Sequence, residues 1–498
     1  MKIIFNPDYK LKMTNDRVLL YSASIFEASY KGEAGWESII HPLHAMILSF
    51  FNGNKYSKSL NEISKYFDFP LKKIKEFTDK LIENNLNVTW HFQDIDFFFP
   101  KYCLIIVKEN ENIIFDRNKY LPEMFNYDKD KLDFKRKRHP FPVDIHLMLN
   151  TECSTNCIYC YADRRNISKA LSLTRIFELI KEAKFHDARS FELTGGDIFL
   201  CKYWDKIVSE LYKNGFETLL STKTPLKKNT IEKLSNLGVK RIQFSLDSVF
   251  PFSLEKILLI NNGEKYLENV KKTFSMLKDN NIMIDIHSII INTNKDVNNI
   301  KEIYTFLKEY NNIREWRIDN AHSTLYKNDN ENNTFLINKE DFKLIIGYLQ
   351  KIEKNEQKFR IFFDYEIEDE KYETIEQYNN QKMLCSGNYS SIVILPDGNV
   401  TICEEICWNH NFIIGNVNEN SIEDVWNSVT ALELYNLKQD KINNNSPCKN
   451  CPEFNSCHDF KHVCWLNILK AYGDKWDFPD PKCPSAPETI YTRLDKEF

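Results

Sequence analysis

Three cysteines crowd into one short stretch, Thr151–Tyr161, as Cys153, Cys157 and Cys160 in a C-x3-C-x2-C spacing. They follow an apolar strand-like run, Val143–Leu149. The same spacing would also lie on one face of a helix. The neighbours Glu152, Ser154, Thr155 and Asn156 are polar, however, and predict a loop. Thiolates held this close on a loop converge on a soft metal centre. A [4Fe–4S] cluster normally takes four thiolates, so three leave one iron open for chemistry.

The rest of the cysteine inventory fits a metal protein. With 498 residues the chain is too long for one core and predicts about three domains. A net charge of −5 gives no global pull toward nucleic acid or anionic membrane. No run approaches the roughly 18 apolar residues of a membrane span, and Met1–Asp8 has no signal-peptide core. The expected location is cytoplasmic, where thiols stay reduced, so thirteen cysteines point to metal ligands rather than disulfides. Three sit in the opening loop, eight lie from Cys385 to Cys483, and Cys103 and Cys201 read as packing residues. Three plus eight corresponds to one open cluster and two complete four-thiolate sites.

Residues 1–100 read as a small α+β module. Val18–Tyr21 predicts a strand, and Leu43–Phe51 a helix with Gly53 as its cap. Ser59–Glu62 predicts a capping box opening a second helix, and Pro70 ends that helix or starts a third. Ile74, Phe77 and Leu81 mark one face of the third. The outline is winged-helix-like. Its lysines, Lys72, Lys73, Lys75 and Lys80, alternate with Glu76, Asp79 and Glu83, which predicts a solvated face rather than a nucleic-acid surface. The stretch resembles the RiPP recognition element of peptide-modification systems. That resemblance implies a leader peptide added as an extra strand to the module's sheet. Residues 101–142, with the basic run Lys135–His139, read as a linker.

From residue 143 to 335, strand-like and helix-like segments alternate. Strands are expected at 143–149, 190–194, 217–221, 241–247, 283–291 and 315–319, with helices at 171–184, 203–213, 264–279 and 297–310. These six β/α units predict an α/β fold, a partial (β/α)6 TIM-like barrel. Function in such sheets sits at the C-terminal ends of the strands. The three cysteines, Thr194-Gly195-Gly196-Asp197 and Ser245-Leu246-Asp247 all fall there.

This segment resembles the radical S-adenosylmethionine (radical SAM) superfamily. Cys153, Cys157 and Cys160 match its cluster motif, with Tyr159 at the aromatic position. Thr194, Gly195, Gly196 and Asp197 match the turn that holds the SAM amino group in relatives, with a shorter carboxylate than usual. Ser245 matches a position that contacts the SAM ribose. Where relatives carry an arginine for the SAM carboxylate, this chain has Asn261-Asn262-Gly263, so the resemblance names no partner there. Asp285 and Asp319 are strand-end carboxylates without an assigned role.

Residues 336–384 bridge to a cysteine-rich end, 385–498. A hairpin is expected from Ser391–Leu395 to Asn399–Cys403 across Pro396-Asp397-Gly398. The C-x2-C spacing of Cys448 and Cys451 is also a zinc spacing, so the spacing alone leaves two structural zinc sites open. The order of cysteines, Gly415-Asn416-Val417 and Ser421 before a helix to Trp426 resemble the SPASM extension. That resemblance implies a distal cluster on Cys448, Cys451, Cys457 and Cys483, and a proximal one on Cys385, Cys403, Cys407 and Cys464. Together the resemblances imply three [4Fe–4S] clusters and SAM as cofactors, and an electron donor such as flavodoxin or ferredoxin. They imply a peptide maturase that crosslinks a precursor peptide through a thioether or carbon–carbon bond. Peptide epimerisation, sulfatase-maturating-type oxidation of Cys or Ser, and a non-enzymatic zinc-bearing winged-helix regulator are the alternatives.

Overall fold

The structure is a computed structural model that describes residues 1–489 except 15, 109–112, 327–334, 356–357, 364–370, 383 and 460–462. The chain divides into two compact units, Met1–Pro140 and Phe141–Phe498.

In the first unit, Val18–Ser22 lies between Tyr9–Met13 and Glu37–Ile40 in an antiparallel sheet. Helices Pro42–Ser49, Tyr56–Phe67 and Leu71–Leu81 follow. The third buries Ile74, Phe77 and Leu81, the face expected from their spacing. Next comes a hairpin, Val88–Phe92 with Ile95–Phe99, whose turn residues Gln93 and Asp94 both have positive φ, as a two-residue hairpin turn needs.

Three expectations fail here, each for a local reason. Gly53 does not cap the first helix, because Phe50 does so in a right-handed conformation. Gly53 sits instead in the strand Asn52–Lys55, at φ +90°. Ser59 does not open the second helix either. That strand runs straight into a helix from Tyr56, and the Ser59 hydroxyl donates to the Phe50 carbonyl at 2.9 Å. Residues 101–142 are not a plain linker. Leu104–Val107 pairs with Lys2–Phe5, which also pairs with Asn52–Lys55, and Phe125 is buried in the same core.

His41 and His44 sit at the centre of this core, 2% exposed each. Burial lowers His41 to about 4 and His44 to about 3. His44 stacks on Phe77 with ring centres 5.0 Å apart.

The second unit is built on parallel strands with helices between them. Asp144–Met148 pairs in parallel with Ser190–Thr194 on one side and Ser391–Ile394 on the other. A second parallel sheet runs Leu220–Thr222, Arg241–Ser245, Met283–Ile290, Ile313–Asn320, Arg360–Phe363. The six expected strands are all present, though the third is only Leu220–Thr222. The bridging region adds a further β/α unit, the helix Lys339–Asn355 and the strand Arg360–Phe363. Helices Lys228–Asn236 and Pro251–Leu258 were not anticipated.

The cysteine-rich end is not a separate body. Its hairpin, Ser391–Ile394 with Asn399–Thr401, continues the first parallel sheet, and Ile392, Ile394 and Trp426 share one core with Ile145 and Leu147. Ser421 caps the helix Ile422–Trp426 through a capping box with Asp424, as its position indicates. Among the described residues no helix is long and apolar enough to cross a membrane.

Two outcomes follow for the first unit. A fragment of residues 1–140 unfolds cooperatively in urea, whereas 1–100, lacking Leu104–Val107 and Phe125, shows no cooperative transition. In the longer fragment, folded His41 and His44 stay neutral while the unfolded chain takes up protons near pH 6.5. Stability therefore falls as pH drops from about 6.5 to 4, by about 1.4 kcal/mol per pH unit for each histidine, and His44→Phe makes that fall shallower.

Candidate active site and metal centres

The cysteine loop leaves the C-terminal end of Asp144–Met148 and is held from three sides. The Arg164 guanidinium donates to the carbonyls of Thr155 at 2.7 Å and Cys153 at 3.1 Å, and to Asn156 Oδ1 at 3.2 Å. The amides of Asn156 and Ile158 donate to the last carbonyls of the helix Pro251–Leu258, at Leu258 and Ile257, both at 3.0 Å. The third clamp is the Gly195-Gly196-Asp197 turn at the end of the neighbouring strand. Gly196 N donates to Asn150 O at 2.8 Å and Asp197 N to Glu152 O at 2.6 Å, while Asn150 Nδ2 returns a bond to Asp197 O at 3.1 Å.

That clamp explains the glycines. A Cβ on Gly196 would meet Glu152 O at 2.0 Å, and one on Gly195 (φ +124°) would meet Asn150 O at 2.4 Å. The close approach that two glycines permit is therefore made to the cysteine loop itself. Asp197 is buried. Its Oδ1 accepts from Phe199 N at 3.1 Å and its Oδ2 from the Thr222 hydroxyl at 3.0 Å.

Behind the loop, Tyr159 donates to Asp247 Oδ2 at 2.7 Å, and Lys223 Nζ contacts both, at 2.5 Å from Asp247. Asp247 is fully buried, and its Oδ1 accepts from Ile289 N at 3.0 Å. Burial alone would pull Lys223 down, but Asp247 and the thiols of Cys157 and Cys160 hold its ammonium above the ordinary range. Ser245 lies at the end of its strand, in register with His287. His287 Nε2 is 2.8 Å from Asp319, which also accepts from Arg317 at 2.8 Å. Asp285 is committed to Arg314, with both contacts at 2.7 Å.

Glu404, beside Cys403, joins the two cysteine-bearing regions. It accepts from the Tyr161 hydroxyl and from the Thr194 hydroxyl, each at 3.1 Å. Arg165 lies over the Trp408 ring at 4.7 Å, and Arg175 donates to Val417 O at 2.6 Å. Arg164, Lys223, Asp247 and Glu404 were absent from the expected site. Asp247 alone had a sequence signal, at a strand end.

No disulfide joins the cysteines. Cys448, Cys451, Cys457 and Cys483, the four expected distal ligands, line one pocket. Gln439 Nε2 ties Cys448 O and Cys451 O together at 3.0 and 2.7 Å. Among the expected proximal ligands, burial and the nearby Glu405, Cys385 and Cys464 push Cys403 up to about 12. Cys407 faces Cys403 too, but its thiol donates to Glu404 O at 2.7 Å. In the opening loop, burial raises Cys153 to about 11, with Cys160, Asp197 and Cys157 adding to it and Arg164 opposing.

Among the described residues, no three Cys, His, Asp or Glu side chains are gathered closely enough to hold a single metal ion. The thiols of Cys153, Cys157 and Cys160 in the opening loop, and of Cys448, Cys451, Cys457 and Cys483 around one pocket, are the donor type that an iron–sulfur cluster takes. Cys153, Cys157 and Cys160 would hold the open one.

Two regions of the chain match known families. Residues 148–307 match the radical SAM superfamily, and residues 385–452 match the SPASM iron-sulfur cluster-binding domain. The chain carries a radical SAM domain followed by a SPASM domain. Relatives include a probable GTP 3′,8-cyclase of Methanococcus maripaludis, 25% identical over 133 residues, which are 26% of this chain and 45% of the relative. The GTP 3′,8-cyclase of Clostridium perfringens is 25% identical over 159 residues, which are 30% of this chain and 48% of the relative. The chain thus spans about half the length of the curated relatives it matches. In fold, the chain is similar to Streptococcus suis SuiB bound to S-adenosylmethionine, with a TM-score of 0.60 at 14% identity, covering 97% of this chain and all of that one.

The clamp makes a direct test. Gly196→Ala drives a Cβ into Glu152 O and destabilises the protein by about 1–3 kcal/mol, with iron lost from the opening loop. Gly347→Ala, whose Cβ meets nothing within 4 Å in its helix, leaves iron unchanged. Urea unfolding and iron analysis read both.

Proposed function

We propose that the protein is a radical SAM peptide maturase that oxidatively crosslinks a ribosomally made precursor peptide. The observation that carries this reading is the combination within one chain. A sheet-bearing N-terminal unit precedes the cysteine loop, and eight further cysteines follow it. The similarity in fold to SuiB spans nearly the whole chain rather than the radical SAM domain alone, and a related SuiB structure is described as bound to its precursor peptide SuiA.

When bound, the opening cluster supplies the electron that splits SAM into methionine and a 5′-deoxyadenosyl radical. The chain's own residues do the positioning. Arg164 and the Gly-Gly turn fix the loop backbone, and Tyr159, Thr194, Gly195, Gly196, Asp197 and Ser245 are the candidate SAM contacts around it. Glu404 ties the Thr194 end of that set to Cys403, so that the radical SAM and SPASM domains share a hydrogen-bonded seam. The strands Tyr9–Met13 and Glu37–Ile40 each have one strand neighbour among the described residues, the arrangement to which a leader peptide can add. Cytoplasmic location and a flavodoxin or ferredoxin donor complete the proposal.

Two measurements test it. Iron and sulfide analysis of anaerobically purified protein gives about twelve of each per chain; about four iron with bound zinc sinks the auxiliary-cluster part. Reduced enzyme with SAM and a synthetic precursor peptide yields a product lighter by two hydrogens, and Cys157→Ala yields none. A peptide of unchanged mass that takes up solvent deuterium indicates epimerisation instead.

A further inference from the structure

The Lys223–Asp247 pair is built around the cysteine loop and is not accounted for by SAM binding or peptide recognition. Lys223 follows the strand Leu220–Thr222, and Asp247 follows Arg241–Ser245. These strands are parallel neighbours, with Thr222 opposite Phe244, so both side chains arise at the same end of the sheet. Their charged atoms stand 2.5 Å apart, with Asp247 fully buried and the Lys223 side chain 15% exposed. Tyr159, between Cys157 and Cys160 in the chain, touches both, and Lys223 Nζ lies 4.9 Å from its ring centre. The pair is braced independently of the loop. Ile289 N holds the Asp247 carboxylate at 3.0 Å, Asn294 Nδ2 holds its carbonyl at 2.8 Å, and the Tyr266 hydroxyl holds Lys223 O at 2.6 Å.

We propose that the Lys223–Asp247 pair sets the reduction potential of the cluster held by Cys153, Cys157 and Cys160, with Tyr159 joining the pair to the loop. Reduction adds one electron and makes the cluster more negative. A fixed cation nearby favours that state and a fixed anion opposes it, most strongly where water is excluded. The step is a one-electron transfer in which the donor is oxidised and the cluster reduced; no bond breaks and no proton moves. Lys223 and Asp247 are positioning residues in this role, because they act through the loop. The inference rests on the cluster reading of this loop and not on the identity of the substrate.

The experiment is a dithionite titration of the full-length protein, following the electron paramagnetic resonance signal that changes on addition of SAM. Lys223→Met leaves an unopposed carboxylate and moves the midpoint to more negative potential. Asp247→Asn leaves an unopposed ammonium and moves it the other way. The double variant returns toward the wild type, and Lys223→Arg keeps the wild-type value. A merely structural pair would not produce shifts of opposite sign. If Lys223→Met does not load iron, the sign of the Asp247→Asn shift decides alone. Unchanged midpoints in loaded variants, or shifts of the same sign, overturn the proposal. Failure of the cluster reading is separate, since the wild-type protein would then show no SAM-sensitive iron signal.

Discussion

The site depends on a contact between two pieces of backbone. Gly196 and Asp197 donate to the carbonyls of Asn150 and Glu152, and Asn150 Nδ2 returns a bond to Asp197 O. Two amide hydrogen bonds are modest in net energy, about 1 kcal/mol each, so the clamp does not work by strength. It works by distance. With a carbonyl oxygen 2.0 Å from where a Cβ would stand, only glycine lets the turn close on the cysteine loop. The loop is tied further by Arg164 on its carbonyls, by the helix Pro251–Leu258 on its amides and by Tyr159 on Asp247, with Ile158 and Tyr159 packed against the core. Three clamps from three separated segments fix the backbone that carries Cys153, Cys157 and Cys160.

The same logic extends to the SPASM domain. The cysteine-rich segment does not build a separate core; it joins an existing sheet and packs its apolar residues into the core of the second unit. Ser391–Ile394 pairs with Asp144–Met148, the strand that delivers the cysteine loop. One strand thus feeds the opening site at its end and supports the SPASM hairpin along its edge. Glu404 reinforces this by taking hydrogen bonds from Tyr161 and Thr194, residues of the loop and of the strand that ends in the Gly-Gly-Asp turn. Movement of the SPASM hairpin would be felt at both.

Much of the second unit was legible because its signals are local. Apolar strands ending in Cys153, in Gly195-Gly196 or in Ser245 announce their own C-terminal ends, and Ser421 with Asp424 announces a helix start. The four distal cysteines were grouped by resemblance, and they line one pocket. The misreadings came where tertiary pairing overrides local preference. Ser59 has the pattern of a capping box, but the strand before it starts the helix three residues earlier, and its hydroxyl serves another carbonyl. Residues 101–142 lack periodicity, yet Leu104–Val107 completes a sheet begun by Lys2–Phe5. Lys223 was invisible for a related reason. A lysine after a three-residue strand looks solvated, and only the parallel neighbour carrying Asp247 shows that it is paired and enclosed.

The enclosure also bears on how the centres are filled. Burial holds Cys403, Cys448 and Cys464 up to about 12, so these thiols keep their protons at neutral pH in the folded chain. Metals bind thiolate, so filling a site built on these cysteines would release their protons and would couple to pH. Lys382, 3.5 Å from Cys457 Sγ, lowers that cost at one corner of the distal pocket, since it opposes the effect of burial there. At the opening loop Arg164 does the same for Cys153. Lys382 at Cys457 Sγ and Arg164 on the Cys153 carbonyl both oppose the effect of burial on a thiol. A dry pocket excludes water from an iron-sulfur cluster but disfavours the charge its ligands must carry, and a fixed positive group on the wall offsets that penalty.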